Sequence, residues 1–153
     1  MEKLLLSIST LAFFGFVIMI WIRFGLLSSI SDAYYYLNRQ KHLFAVAMVG
    51  VGLPVTIQSD TGMIFFAGLF ICLAGVAGYI REDMTEKLHI IGATGGITLS
   101  MVSLWIDYGM WWVSLGFAVI SFLLTFFRIN HSSWWIELLA FVSVILVLWG
   151  NVL

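Results

Sequence analysis

The chain contains 153 residues, of which 62 % are hydrophobic and only 10 % are charged, and its formal net charge is -1. Soluble globular proteins are about 45–50 % apolar and about 25 % charged. The composition therefore excludes a soluble enzyme, a disordered tail and a protein that binds nucleic acid. It indicates a polytopic membrane protein.

The apolar residues form continuous runs, whereas the strands of a membrane barrel alternate in polarity over about 10 residues. A transmembrane helix needs about 20 mostly apolar residues, within a range of about 17–25. We therefore predict an all-α integral membrane bundle of six transmembrane helices with short loops, forming a single transmembrane domain over residues 1–153. The predicted spans are residues 4–22, 43–57, 63–80, 88–106, 111–127 and 134–151.

The first predicted span resembles a signal peptide, and the second is shorter than a typical transmembrane helix. Residues 4–22 could pass for a signal peptide, but no small-residue cleavage motif follows them, and Arg23 comes after the apolar run. We expect this segment to be retained as a helix. The second run is short, but a helix from Asp32 to Ile57 would be long enough. Ser31 would be its N-cap, and Pro54 would kink or end it near the far side.

The basic residues are distributed unequally between the two faces that six crossings create. Only Lys3 lies on the face that carries both termini. The other six basic residues are Arg23, Arg39, Lys41, Arg81, Lys87 and Arg128. Because short cytoplasmic loops are enriched in Lys and Arg, we expect loops 23–42, 81–87 and 128–133 to be cytoplasmic and both termini to be outside.

Small residues recur at every fourth position in two of the predicted spans. Gly92, Gly96 and Ser100 follow this spacing in the fourth span, and Ala74 and Gly78 follow it in the third. Such spacing lets helix backbones approach closely. These residues predict helix packing, either within one bundle or at the interface of a homo-oligomer.

Ionisable residues are missing from the middle of every predicted span, which disfavours an ion-coupled carrier. They gather instead at the predicted cytoplasmic end. His89 and Glu137 are the deepest of them, each about one turn inside its helix. If the fourth and sixth predicted helices are neighbours, these two side chains could pair.

Three interpretations of this polar cluster remain open from the sequence. The residues could anchor the bundle at the membrane surface through salt bridges, form a pocket for a lipid headgroup, or bind a metal ion. A zinc site usually brings two ligands close together in sequence, as in His-x-x-x-His. His42, His89 and His131 are far apart, so we predict neither a metal nor another cofactor.

The first long loop contains Ser-Ile-Ser-Asp-Ala-Tyr-Tyr-Tyr at residues 29–36. Over residues 29–44 the chain resembles a group of small, uncharacterised six-helix membrane proteins of bacteria and phages, and it is more distantly similar to the DRAM-like and CREST-type multi-span families. The likeness continues through residues 87–93 and 134–139. It implies a location in a bacterial inner membrane.

CREST-type proteins are metal-dependent lipid hydrolases or receptors with a Ser, an Asp and three His around the metal. The resemblance implies that Ser31, Asp32 and His89 correspond to three of these residues. This chain lacks the family's His-x-x-x-His pair and its seventh helix.

We predict a non-enzymatic multi-pass membrane protein that binds membrane lipid or a membrane partner at its cytoplasmic rim. The predicted binding residues are Ser31, Asp32, Tyr35, His42, His89 and Glu137. One alternative is a lipid-modifying enzyme, with or without a metal ion. Its candidate catalytic residues are His89, Asp32 and Glu137. Another is an oligomeric channel or pore built on the Gly92 and Gly96 face.

Overall fold

The computed structural model describes residues 1–37, 40–59, 62–77 and 82–152, with the side chains of residues 82–85 left aside. These residues form seven helices and no strand, which confirms the all-α prediction. The helices are α1 (Glu2–Phe24), α2 (Ala33–Tyr36), α3 (Lys41–Gln58), α4 (Gly62–Val76), α5 (Glu82–Ile106), α6 (Trp111–Phe126) and α7 (Ser132–Val152).

Four of these helices are long and apolar enough to cross a membrane: α1, α3, α7 and the part of α5 from Glu86 to Ile106. The helices α4 and α6 are apolar but have only 15 and 16 residues. At 1.5 Å per residue they reach about 22–24 Å, less than the roughly 30 Å hydrocarbon core. The predicted third span continues to residues 78–80, which lie outside the described part of the chain. The fold is therefore compatible with a membrane location.

The predicted continuous helix from Asp32 to Ile57 is wrong, because the chain forms two helices there. α2 is a single turn, and α3 begins only at Lys41. Ser31 does not cap a helix: the N-cap position of α2 is Asp32, with no side-chain capping bond. Pro54 lies within the last turns of α3, which continues to Gln58.

Most of the long helices pack against the helix that precedes or follows them in the chain. α3 lies between α1 and α4, α4 packs on α5, and α7 contacts both α1 and α5. α6 packs along α5 and α7 and has no buried side chain of its own. The main core joins α1, the loop that follows it, α3 and α7 through Phe13, Ile20, Ile30, Phe44 and Trp134.

Glycines bring α3, α4 and α5 unusually close together. A Cβ atom added at Gly92 of α5 would lie 2.5 Å from the backbone nitrogen of Ala74 in α4, and one at Gly96 would lie 2.8 Å from Cγ1 of Ile71. The predicted small-residue face of α5 is thus covered by α4 of the same chain. Ser100 is buried as well, while Gly78 lies outside the described residues.

The two ends of the bundle can be defined by the segments that meet there. At the loop end, residues 25–37 lie against the start of α7. The N–H of Trp134 donates to the carbonyl of Ser28 at 3.1 Å, and Nδ1 of His131 bonds the carbonyl of Leu27 at 2.8 Å. At the terminal end, Glu2 and Asn151 lie close to the end of α3 and the end of α5.

Candidate functional site

Glu137 is the sixth residue of α7 and ties that helix to the loop after α1. Ser31 makes two hydrogen bonds to its carboxylate: the backbone N–H donates to Oε2 at 2.9 Å, and the hydroxyl donates to Oε1 at 2.8 Å. At 1.5 Å per residue, Glu137 lies about 7–8 Å along the helix from Ser132. A carboxylate at this depth is stable only with such donors, because water cannot solvate it freely.

The loop places Ser31 correctly through its neighbour Ser29. The Ser29 hydroxyl oxygen accepts the backbone N–H of Asp32 at 3.0 Å and lies 3.0 Å from the Ser31 hydroxyl oxygen. Because the Ser31 proton points to Glu137, the Ser29 hydroxyl is the donor of that pair. The buried side chain of Ile30 fixes this turn in the core. The loop therefore delivers a preformed pair of donors to Glu137.

His89 projects from α5 into the bundle and is only 6 % exposed. Its Nδ1 atom lies 3.0 Å from the carbonyl oxygen of Ala74 in α4. Since a carbonyl can only accept, Nδ1 carries a proton, and in the imidazole form Nε2 is the acceptor of the ring. Nε2 is buried and has no hydrogen-bond partner among the described residues. The ring stacks on Tyr34 at 6.1 Å and contacts Phe44 at 5.5 Å, which fixes its orientation.

Ser31, His89 and Glu137 line one cavity, which we call the polar cavity. Its remaining walls are apolar and include Phe44 and Met48 of α3. It offers about 30 Å³ to the centres of water molecules, which is enough for one or two waters. The structure thus brings His89 and Glu137 to the same cavity, where a small bound group could bridge them.

The other predicted binding residues lie outside the polar cavity. Asp32 follows Ser31 in the loop, and His42 is exposed on the first turn of α3. Tyr35 is 51 % exposed and packs edge-on against Tyr34. Partial burial, aided by the charge of Glu86, raises the pKa of the Tyr35 phenol above its usual value. The predicted site therefore divides into Ser31, His89 and Glu137, which line the polar cavity, and a surface group of Asp32, Tyr35 and His42, which does not line it.

A second cavity lies directly beside the polar cavity, and we call it the middle cavity. The two share Ile71, Ile97 and Phe141 as wall residues. The middle cavity offers about 20 Å³ to water centres, and its walls are mostly apolar. The hydroxyls of Ser9 and Ser100 are its polar groups.

A third space, the terminal pocket, opens at the terminal end and shares Val55 and Leu148 with the middle cavity. It offers about 310 Å³ to water centres. Its polar residues are Glu2, Gln58, Ser59, Asp107, Tyr108 and Asn151.

Sequence reasoning did not identify Asp107 as a site residue. Its carboxylate accepts a hydrogen bond from the Ser103 hydroxyl at 2.8 Å, one turn earlier. Burial, with a contribution from Asp107, raises the pKa of the neighbouring Tyr108 phenol. A signal was present in the sequence, since a serine four residues before an aspartate at the end of an apolar run can form this bond.

The described residues contain no group of three or more His, Cys, Asp or Glu side chains arranged to bind a metal ion. His42, His89 and His131 occupy three separate places: the exposed start of α3, the polar cavity and the Leu27 carbonyl. Of the three residues that the CREST-type resemblance singled out, Ser31 and His89 reach the polar cavity.

Comparisons with protein-family models, with characterised proteins and with solved structures found no match for this chain. The resemblance to small six-helix membrane proteins and to the DRAM-like and CREST-type families therefore stays a prediction.

Proposed function

We propose that this protein is a non-enzymatic multi-pass membrane protein that binds a membrane lipid through a hydrogen-bond donor of the headgroup, which enters the polar cavity. The single observation behind this proposal is the convergence of Ser31, His89 and Glu137 on one cavity. Nε2 of His89 and the carboxylate of Glu137 are both acceptors there. The complementary group is a donor, and a primary ammonium satisfies both acceptors and offsets the charge of Glu137.

The proposed topology places the loop end in the cytoplasm of a bacterial inner membrane and both termini outside. The described basic residues support this orientation, because Arg23, Lys41 and Lys87 lie in the loop-end turns of α1, α3 and α5, and Arg128 lies between α6 and α7. In this topology α4 and α6 are the third and fifth crossings. The polar cavity then lies at the depth where a headgroup meets the ends of the helices.

The surface group of predicted residues supports a role around the cavity entrance. Tyr35 is exposed beside Tyr34, and Lys41 places its ammonium 4.5 Å above the Tyr34 ring. Tyrosines of this kind favour the membrane interface, and a lysine there attracts the lipid phosphate. A membrane partner could use the same surface.

Native mass spectrometry of protein in mild detergent, mixed with equal amounts of aminophospholipid and choline phospholipid, tests the proposal. We expect the wild type to retain the aminophospholipid preferentially, because a quaternary ammonium has no N–H to donate. Glu137→Gln should lose the preference, while the matched change Glu2→Gln, at an exposed position of the terminal end, should keep it. Equal retention of both lipids by the wild type would contradict the proposal.

A lipid-modifying enzyme remains a second candidate because of the state of His89. An imidazole whose Nδ1 donates to a carbonyl, and whose Nε2 has no hydrogen-bond partner in the described part of the chain, has the arrangement of a general base. Incubation of the protein in lipid vesicles, followed by mass spectrometry of the lipids, tests this alternative. It requires new lipid products with the wild type and far fewer with His89→Gln; a lipid profile unchanged by the wild type would reject it.

A further inference from the structure

The polar cavity, the middle cavity and the terminal pocket follow one another through the bundle from the loop end to the terminal end. Neighbouring spaces share wall residues. The polar and middle cavities share three, one of which is Ile97, and the middle cavity shares Val55 and Leu148 with the terminal pocket. Helix bundles normally pack without voids, at a density near that of organic crystals. A row of three spaces, each with polar groups, is therefore a feature that packing alone does not require.

The groups along this row can carry a proton. Glu137 and Nε2 of His89 can each bind one in the polar cavity, and Asp107 can do so in the terminal pocket. In the middle cavity, which lies between those two spaces, the Ser9 hydroxyl donates to the carbonyl of Val51 at 3.0 Å, and its oxygen can still accept a hydrogen bond. The second hydroxyl, that of Ser100, is also buried against the middle cavity. Hydroxyls and single waters can both accept and donate protons.

We propose that the protein conducts protons across the membrane through these three spaces, with Glu137 and His89 as proton-binding groups and Ile71, Ile97 and Phe141 as an apolar constriction that restricts the flow. The proposal uses the same polar cavity as lipid binding, and a headgroup ammonium seated there would compete with the water that carries the proton. It assigns transport to the interior of one chain, whereas the predicted oligomeric channel would form between chains.

The step at the loop end balances as follows. A proton from the aqueous side adds to the carboxylate of Glu137 and then passes through cavity water to Nε2 of His89. The imidazolium keeps its Nδ1–H on the Ala74 carbonyl and releases the proton from Nε2 toward the middle cavity. No bond other than O–H and N–H changes, and the transmembrane potential or pH gradient supplies the driving force.

Among the residues that the structure describes, charged and titratable groups approach Glu137 and His89 from the loop end. Asp32 lies beside Ser31 in the loop, Tyr34 stacks on His89, and the Lys41 ammonium lies over Tyr34. The parts of α3 and α4 that line the polar cavity contribute only apolar side chains, among them Met48 and Ala74. In the proposed path, protons therefore enter the polar cavity from the solvent at the loop end.

The size of the spaces sets the expected selectivity and rate. Spaces of about 20–30 Å³ hold one or two waters each, which suits a proton and excludes a hydrated K⁺ or Na⁺. Apolar constrictions close a path by excluding water. We therefore expect slow proton flux in the wild type and faster flux when the constriction is widened.

Proton flux into liposomes that contain the full chain tests the proposal. A K⁺ gradient with valinomycin sets the potential, and an internal pH dye reports the flux. We expect acidification above that of empty liposomes with the wild type, and a rate at least several-fold higher with Ile97→Ala. The matched control Ile120→Ala, at a 45 % exposed position of α6, should behave like the wild type.

Two double variants test the assigned groups. In the Ile97→Ala protein, adding Glu137→Gln or His89→Gln should return the flux toward the level of empty liposomes. The proposal is overturned if neither the wild type nor Ile97→Ala gives a faster proton flux than empty liposomes while thermal unfolding shows that both proteins are folded. It is also overturned if both double variants keep the full rate, or if a separate flux assay without valinomycin shows K⁺ passing as fast as protons. Lipid retention in the mass spectrometer is a separate measurement, so each proposal can fail without the other.

Discussion

The contact between α4 and α5 gives the sharpest prediction, through the change Gly92→Ala. The new Cβ atom would lie 2.5 Å from the nitrogen and 2.8 Å from Cα of Ala74, and 2.8 Å from the carbonyl oxygen of Phe70. Ordinary contacts of this kind measure 3.4–4 Å. Because all three neighbours are backbone atoms, they can move only if the two helices separate by about 1 Å.

The expected magnitude follows from two opposing effects. Overpacking a closely packed contact costs about 1–3 kcal/mol. Alanine recovers up to about 1 kcal/mol, since it favours the helix more than glycine does. We expect a net loss of about 1–2 kcal/mol in the free energy of unfolding. Separation of the helices should also lengthen the bond between His89 and the Ala74 carbonyl, which is 3.0 Å in the intact bundle.

Two other glycines provide matched controls for Gly92→Ala. At Gly95 an added Cβ would lie 2.5 Å from Cδ1 of Phe70, but an aromatic side chain can rotate away. Gly95→Ala should therefore cost less. At Gly116 of α6 nothing lies within 4 Å, and Gly116→Ala should be neutral or slightly stabilising.

Thermal or denaturant unfolding in one detergent measures the series. The expected order of stability is Gly116→Ala, then Gly95→Ala, then Gly92→Ala. If Gly92→Ala proved as stable as Gly116→Ala, α4 and α5 would not approach as closely as described, and position 92 would not require glycine.

Three further predictions concern single hydrogen bonds and one titration. Ser31→Ala removes the hydroxyl donor to Glu137 but keeps the backbone donor, so we expect a loss of about 1–2 kcal/mol in the same unfolding assay; Ser31→Thr, which keeps the hydroxyl, should lose less. Trp149→Phe removes the indole donor to the Thr10 hydroxyl, 3.1 Å away, and should cost about 1 kcal/mol for that bond in addition to lost packing; no change in unfolding would mean that the bond is absent. The pKa of Tyr108 is raised in the folded state, so the contribution of its neutral phenol to stability is complete below pH about 10 and is lost as the pH rises further. Ultraviolet titration of the wild type against Tyr108→Phe should show one phenol that ionises above the usual tyrosine pKa. Ionisation of that phenol at the usual pKa would contradict its burial.

The positions of the helices were largely readable from the sequence. The predicted span 111–127 corresponds to α6 at Trp111–Phe126, and the predicted span 134–151 corresponds to α7 at Ser132–Val152. A continuous apolar run in a membrane must satisfy its backbone hydrogen bonds internally, so it forms a helix wherever it occurs. The end of α2 at Tyr36 was not readable from the sequence, because Ala33, Tyr34 and Leu37 owe their positions to core packing with residues distant in the chain.

The same distinction applies to the candidate site. The sequence determined that Ser31, His89 and Glu137 are polar residues near the ends of apolar segments. It gave the same description of Tyr35 and His42, which the fold leaves exposed at the surface. Ser31 and Glu137 are 106 positions apart, and only the packing of α7 against the loop after α1 joins them.

The sequence by itself therefore determined the helical class, the apolar character of the helices and the supply of polar groups, since these depend on local composition and backbone hydrogen bonding. Only the tertiary structure decided which polar groups share a cavity, that α4 covers the glycine face of α5, and that three spaces follow one another through the bundle. Those features depend on side-chain volumes and distances between helices that are remote in sequence, and no local pattern specifies them.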